Sequence, residues 1–283
     1  MHPNYQYFLP QHRLSRIAGV LTNSQKPWLK NFLIRRAQKA FDISLREAVQ
    51  EDPTAYLSFN DFFTRALKPS ARPIDPDPTH LVSPADGRVL AWGTLAHQRL
   101  LQAKGRYYAL PDLVQDRKLA HQLSNGSFVT LYLSPQDYHR VHLPYPGVLT
   151  DIRYIPGQLF SVSPRSAASI PKLFSRNERV IFRFETSCGP LVVIMVGALL
   201  VGSIETPWHG IITPPQQGLR DLNLKNPKEL LHKGAELGRF RFGSTAIVLA
   251  PPGALTLSPH LSLDGFVRMG ECIATLSEKN DSF

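Results

Sequence analysis

From about residue 80 onward the chain changes its hydrophobic period. Short apolar, β-branched runs, Gly87 to Leu90, Ser127 to Leu133, Val180 to Phe184, Leu191 to Val196 and Ala246 to Leu249, are separated by glycine, proline and aspartate. Runs of this length bounded by turn formers read as strands, so the body of the molecule is expected to be mainly β. The N-terminus reads differently. Pro10 is placed to open a helix, and Leu14, Ile17, Ala18 and Leu21 follow at i, i+3, i+4 and i+7, with Arg13 and Arg16 off that stripe. A second helical stretch follows Pro27 and carries Trp28, Leu29, Phe32 and Leu33, with its basic residues scattered around the wheel. The expected fold class is α+β, with a helical region over 1–67 and a β-rich domain over 81–283. The proline- and charge-rich stretch "KPSARPIDPDPTH", 68–80, reads as the linker between them.

Charge narrows the partners. The 283 residues hold 32 Lys and Arg against 22 Asp and Glu, a formal charge of +10, which implies attraction to a polyanion. Arg13, Arg16, Lys26, Lys30, Arg35, Arg36, Lys39 and Arg46 stand in the first 50 residues against Asp42 and Glu47, mixed with Tyr5, Tyr7, Phe8, Trp28 and Phe32. Two readings of these helices stand: ordinary packing on a core, or docking on an anionic membrane surface. RNA binding is disfavoured, because no aromatic RNA-binding signature accompanies the basic residues. No apolar run is long enough to span a bilayer, and the start, Met-His-Pro-Asn-Tyr-Gln-Tyr, lacks the features of a secretory signal. Cys188 and Cys272 are far apart and lack metal-ligand spacing, so neither a disulfide framework nor a zinc site is expected.

Four stretches could carry chemistry. In "GRFRFGSTAIVLAPPG", 238–253, an alternating run stops at Gly243-Ser244 and restarts as Ala246 to Leu249; on its own it reads as a hairpin turn. "SPADGRV" puts Asp86 before a glycine at the mouth of a strand, "YLSPQDYHRVHLPYPG" puts His139 and His142 three residues apart, and "VGALLVGSIETPW" threads glycines through an apolar run. Jointly, Asp86, a histidine and Ser244 supply the parts of a charge-assisted nucleophile, in which carboxylate orients imidazole and imidazole removes the hydroxyl proton. Metal binding by His139 and His142 is the lesser reading, since no third ligand lies nearby in sequence.

These stretches, together with "FNDFFTRALKPSARPID", "LFSVSP", "LFSRNERV" and "KGAELGRFRFGST", resemble in order and spacing the motifs of bacterial phosphatidylserine decarboxylases, from about residue 56 to residue 249. Phe242 stands where leucine is usual in that family, and residues 216–234 and the tail beyond Leu249 match it more loosely. The resemblance implies a self-cleaving proenzyme: Ser244, activated by His142 and Asp86, attacks the carbonyl of Gly243, and β-elimination of the resulting ester leaves a dehydroalanine that hydrolyses to ammonia and a pyruvoyl group in place of Ser244. A larger chain 1–243 and a small chain 244–283 result. The resemblance further implies that the pyruvoyl cofactor forms a Schiff base with phosphatidylserine, releasing carbon dioxide and giving phosphatidylethanolamine, with His139 serving this second reaction. It also implies a homodimer, peripheral on the cytoplasmic side of the cell membrane. The alternatives are a Ser-His-Asp lipid hydrolase without self-processing, which the missing Gly-x-Ser-x-Gly elbow disfavours, and a non-enzymatic basic membrane-binding module.

Overall fold

The computed structural model describes residues 3–199, 203–212, 220–222, 228–241 and 244–277. Three helices come first: α1 (Gln11–Thr22), α2 (Pro27–Phe41) and α3 (Phe59–Phe63). The body continues through β1 (His80–Val82), β2 (Gly87–Thr94), β3 (Arg99–Ala103), β4 (Arg106–Ala109), α4 (Leu110–Val114), α5 (Arg117–Gln122), β5 (Ser127–Leu133), β6 (Arg140–His142) and β7 (Gly147–Ile155). Next come α6 (Pro164–Ser169), α7 (Leu173–Arg176), β8 (Arg179–Thr186), β9 (Gly189–Val196), β10 (Ile204–Thr206), β11 (Gly210–Ile212) and β12 (Arg220–Leu222). The chain closes with β13 (Glu229–Leu231), β14 (Glu236–Phe240), β15 (Ser244–Ala250), β16 (Leu255–Leu257), β17 (Phe266–Val267) and β18 (Cys272–Leu276). The fold is the α+β arrangement expected, and each of the five apolar runs lies in a strand.

Among the described residues the main sheet is antiparallel, in the order β12-β7-β8-β9-β15-β5-β2-β17, with β13 also paired to β7. β15 lies inside it. Ala246 and Val248 join the core on one face, Ile247 and Leu249 the core on the other. Burial on both faces explains why this strand is apolar throughout rather than alternating.

The hairpin reading of 238–253 is overturned. Both strands exist, but β14 belongs to a separate sheet of order β11-β10-β14-β6, whereas β15 pairs with β9 and β5. The chain between them crosses from one sheet to the other. Phe242 and Gly243 lie outside the described residues.

The helical region meets the body through polar groups. Gln11 Oε1 accepts from the Leu159 N–H at 2.7 Å, Gln6 Oε1 accepts from the Ser161 N–H at 2.7 Å, and a ring nitrogen of His12 lies 3.0 Å from the Gly157 carbonyl. α1 therefore turns its apolar residues outward: Ile17, Val20 and Leu21 are exposed, as are Phe8 (90 %), Trp28 (71 %) and Phe32 on the neighbouring segments. α2 buries Ile34 and Ala37 against Phe59, Phe62 and Phe63. The 68–80 segment joins the two regions as a packed strap: the Lys68 N–H donates to the Glu47 carbonyl at 2.8 Å and the Asp75 N–H to the Gly270 carbonyl at 2.9 Å.

Candidate functional site

Ser244 begins β15 opposite Leu133 of β5. It is wholly buried, and its hydroxyl has no hydrogen-bond partner among the described residues. Leaving a hydroxyl buried and unpaired costs about 1–3 kcal/mol, so such a group asks for a functional reason.

Beyond Leu133 the chain turns. Asp137 Oδ2 accepts from the Ser134 N–H at 2.6 Å and from its hydroxyl at 2.8 Å, closing a tight loop that presents Tyr138 and His139. The His139 carbonyl accepts from the Phe240 N–H of β14 at 2.9 Å. Its ring is wholly buried and stacks on Phe63 of α3, with centroids 4.1 Å apart and planes 18° apart. Neither ring nitrogen makes a well-formed hydrogen bond among the described residues, although the Ser134 and Pro135 carbonyls act on the ring. Burial pushes its pKa down to about 3, the Arg65 guanidinium pushing the same way and the Pro135 and Ser134 carbonyls opposing. His139 is a neutral imidazole at physiological pH.

His142 lies on β6 opposite Glu236 of β14. Its Nδ1 sits 2.8 Å from the Gly234 carbonyl and its Nε2 3.1 Å from the Tyr138 hydroxyl. A carbonyl can only accept, so the network assigns the proton to Nδ1, and Nε2 accepts from Tyr138. Burial pushes His142 below the usual imidazole range; the Gly234 carbonyl and the charges of Glu236 and Asp86 oppose this in part. Burial also pushes the Tyr138 hydroxyl up to about 12, which keeps its proton on.

Asp86 stands at the turn into β2. The following Gly87 is required by close packing, since a Cβ there would lie 2.7 Å from the Tyr132 carbonyl oxygen of β5. The Asp86 carboxylate is buried; it accepts from Arg72 Nε at 2.8 and 2.9 Å and from the Met269 N–H at 2.9 Å. Arg72 in turn pairs with Glu47 at 2.9 Å. Asp86, Arg72, Arg65, Asp137, Tyr138 and Arg268 are among the walls of a cavity of about 330 Å³.

One pocket is thus walled by Asp86 and Tyr138, and His142 adjoins it through its hydrogen bond to Tyr138. Asp86 is bonded to Arg72 rather than to His142, and His142 to Gly234 and Tyr138 rather than to Ser244. Two members, Arg72 and Tyr138, carry no role in the sequence reading although both stand inside the quoted motifs. The signal that could have found them is a buried charge or imidazole in need of a partner, which becomes visible only once burial is known. His142 places both ring nitrogens on protein groups, the Gly234 carbonyl and the Tyr138 hydroxyl. Elsewhere the fold brings Asp75, His80 and Cys272 together with ligand atoms within 4.8 Å of one another, a grouping the cysteine spacing does not announce. There His80 Nδ1 lies 2.8 Å from Asp75 Oδ2.

Ser244 thus presents a buried hydroxyl without a partner among the described residues, burial lowers the pKa of both His139 and His142, and the Asp86 carboxylate is buried on Arg72. The family model for phosphatidylserine decarboxylase matches residues 59–275, and a second model, described as PSD, matches residues 5–42. The chain is 47 % identical over 272 residues to a phosphatidylserine decarboxylase proenzyme of Bordetella avium, covering 95 % of this chain and 92 % of that one. It is 47 % identical over 273 residues to the proenzyme of Pseudomonas entomophila, covering 95 % of each, and 45 % identical over 282 residues to that of Bordetella pertussis, covering 98 % and 95 %. These matches span the motifs and the helical region alike, and the chain belongs to the phosphatidylserine decarboxylases, a family of carboxy-lyases.

Proposed function

We propose that this chain is a proenzyme that cuts itself between Gly243 and Ser244 and then, as a two-chain enzyme, converts phosphatidylserine to phosphatidylethanolamine at a membrane surface. The observation that carries the reading is Ser244: a fully buried, unpartnered hydroxyl at the first residue of an interior strand, beside the histidine loop that follows Leu133. The proenzyme names of the relatives support it further.

In this reading His142 is the base. Its Nε2 already lacks a proton and would exchange the Tyr138 hydroxyl for that of Ser244, while Nδ1 stays anchored on Gly234. Asp86 acts on His142 through its charge, which favours the imidazolium formed as Ser244 gives up its proton. The product group fits the site, because residue 244 opens β15 opposite Leu133 of β5 and its hydroxyl makes no hydrogen bond among the described residues that conversion would break. A pyruvoyl group there supplies an electron-withdrawing carbonyl for a substrate amine. His139, buried and neutral, takes up and returns a proton during decarboxylation.

The exposed Phe8, Ile17, Val20, Trp28 and Phe32, with Arg13, Arg16, Arg35 and Arg36 exposed among them, support docking on an anionic leaflet. Among the described residues no helix is long and apolar enough to cross a membrane. We infer a peripheral enzyme on the cytoplasmic side and, from the family resemblance, a homodimer. Intact mass spectrometry tests the reading: the wild-type protein should give two chains divided at 243/244 and Ser244→Ala one. A Ser244→Ala protein cut at the usual place would sink it.

A further inference from the structure

Ser244 has two flanks, and on one lies β5, whose continuation beyond Leu133 leads to the loop that carries the histidines. On the other, β9 pairs with β15 through Val196 and Thr245, so one residue further along Gly197 stands beside Ser244. The Gly197 N–H donates to the Glu178 carbonyl at 2.9 Å, which puts the residue before β8 next in the same row. Side chains alternate along strands, and Val180 and Phe182 of β8, Val193 and Met195 of β9 and Ala246 and Val248 of β15 all enter one core. Glu178, Gly197 and Ser244 therefore share that face. A Cβ on Gly197 would lie 3.0 Å from Glu178 Cγ and 3.2 Å from its Oε1, so the carboxyl leans over the glycine. That leaves it about one strand spacing, roughly 4.8 Å, from the row of Ser244.

Glu178 is 1 % exposed, and its Oε2 accepts from the Tyr154 hydroxyl at 3.1 Å. The adjacent Arg179 spends its guanidinium on the carbonyls of Asp112, Leu113, Ser175 and Asn177, and the Asn177 amide donates to the Phe160 and Gly197 carbonyls. Among the described residues no charged group pairs with Glu178. Burial raises its pKa to about 7, Tyr154 opposing. A carboxyl so placed is costly, and the decarboxylase reading above gives it no task.

We propose that Glu178 is a second acid–base group of self-processing, serving residue 244 from the flank opposite the histidines. The assignment rests on cleavage at Gly243–Ser244. As Ser244 Oγ bonds to the Gly243 carbonyl carbon, its proton passes to His142; the C–N bond breaks, and the Ser244 nitrogen takes the proton of Glu178. The Glu178 carboxylate then removes the Cα proton of residue 244. The Cβ–Oγ bond breaks, its electron pair leaves with the Gly243 carboxylate, and a carbon–carbon double bond forms. Glu178 is thereby reprotonated, and His142 releases its proton to solvent.

The test follows cleavage of the full-length chain, made by cell-free translation and shifted to buffers from pH 5 to 9, by mass of the small chain. Wild type should slow above about pH 7, where Glu178 loses its proton. Glu178→Gln keeps the shape without an exchangeable carboxyl proton; it should cleave about 10²- to 10⁴-fold more slowly and lose that limb. Cleavage of Glu178→Gln at the wild-type rate, or with the limb intact, overturns the proposal, since a merely structural hydrogen bond to Tyr154 would leave the limb in place. If Glu178→Gln does not fold, Tyr154→Phe decides: removing the donated hydrogen bond should move the limb to higher pH, and an unmoved limb overturns the assignment. Ser244→Ala serves as the control, because cutting there removes the processing reading itself, independently of residue 178.

Discussion

His139 and His142 stand three residues apart and occupy different chemical worlds. His142→Ala should block processing, because an unactivated serine hydroxyl is a poor nucleophile toward an amide. His139→Ala should still be cut yet decarboxylate about 10²- to 10⁴-fold more slowly, the usual share of acid–base assistance. Fragment appearance on a gel beside carbon dioxide release from labelled phosphatidylserine separates the two; an uncut His139→Ala and a fully cut His142→Ala would reverse the assignment. His139 also links stability to pH. Its pKa falls from 6.5 to about 3 on folding, so between those values the unfolded chain binds more protons than the folded one. Stability should therefore rise with pH from about 3 to 6.5 and level off above, the His139 contribution amounting to an order of 5 kcal/mol. His139→Phe, which keeps a ring against Phe63, should unfold at lower pH than the wild type; an unchanged acid midpoint in circular dichroism would contradict this.

At the scale of elements, the N-terminal helices and the strap each make a prediction. Lys30 is buried, its ammonium donating to the Thr54 carbonyl at 2.7 Å and to Asn31 Oδ1 at 2.8 Å, so it belongs to the scaffold rather than to a membrane face. Replacing Arg13, Arg16, Arg35 and Arg36 by Gln should weaken co-sedimentation with phosphatidylserine-containing vesicles, each residue contributing about 1 kcal/mol, and raised salt should do the same. Unchanged binding would return α1 and α2 to a purely structural role. In the strap, Arg72→Gln strips a buried carboxylate of its partner, a change that typically costs about 3–5 kcal/mol. Chemical denaturation of Arg72→Gln in a Ser244→Ala background measures this without interference from cleavage; a loss below about 1 kcal/mol would show that solvent screens Asp86.

For the whole molecule, the place of β15 decides what cleavage can do. The small chain that the proposed cleavage would release begins with a strand paired on both edges and buried on both faces, and its Ile247, Val248 and Leu249 are at most 2 % exposed. Burial of three such side chains contributes roughly 5–9 kcal/mol before backbone pairing is counted. The 244–283 fragment should therefore co-elute with 1–243 on gel filtration in native buffer and part from it only in denaturant. Release in native buffer would mean that β15 leaves the sheet once cut.

Much of this was legible in the sequence. Strand and helix periods are local, so the change of pattern near residue 80, the helices after Pro10 and Pro27 and the five interior strands could be read from neighbours in the chain. The residue types at Asp86, His139, His142 and Ser244 likewise suggested proton transfer and a nucleophile, the roles proposed for them above. Partnership was decided only by the tertiary structure. Arg72 finds Asp86 across 14 residues and His142 finds Gly234 across 92, contacts fixed by sheet register and by which groups burial strips of water. The same register split β14 from β15, turning an apparent hairpin into a passage between sheets, and laid Glu178 over Gly197 beside Ser244. The apolar stripe of α1 makes the point from the other side: its period specified a helix, but Gln6, His12 and Gln11 holding the body turned that stripe toward solvent. Periodicity encodes which face is apolar, and the docking of polar groups elsewhere determines what that face meets.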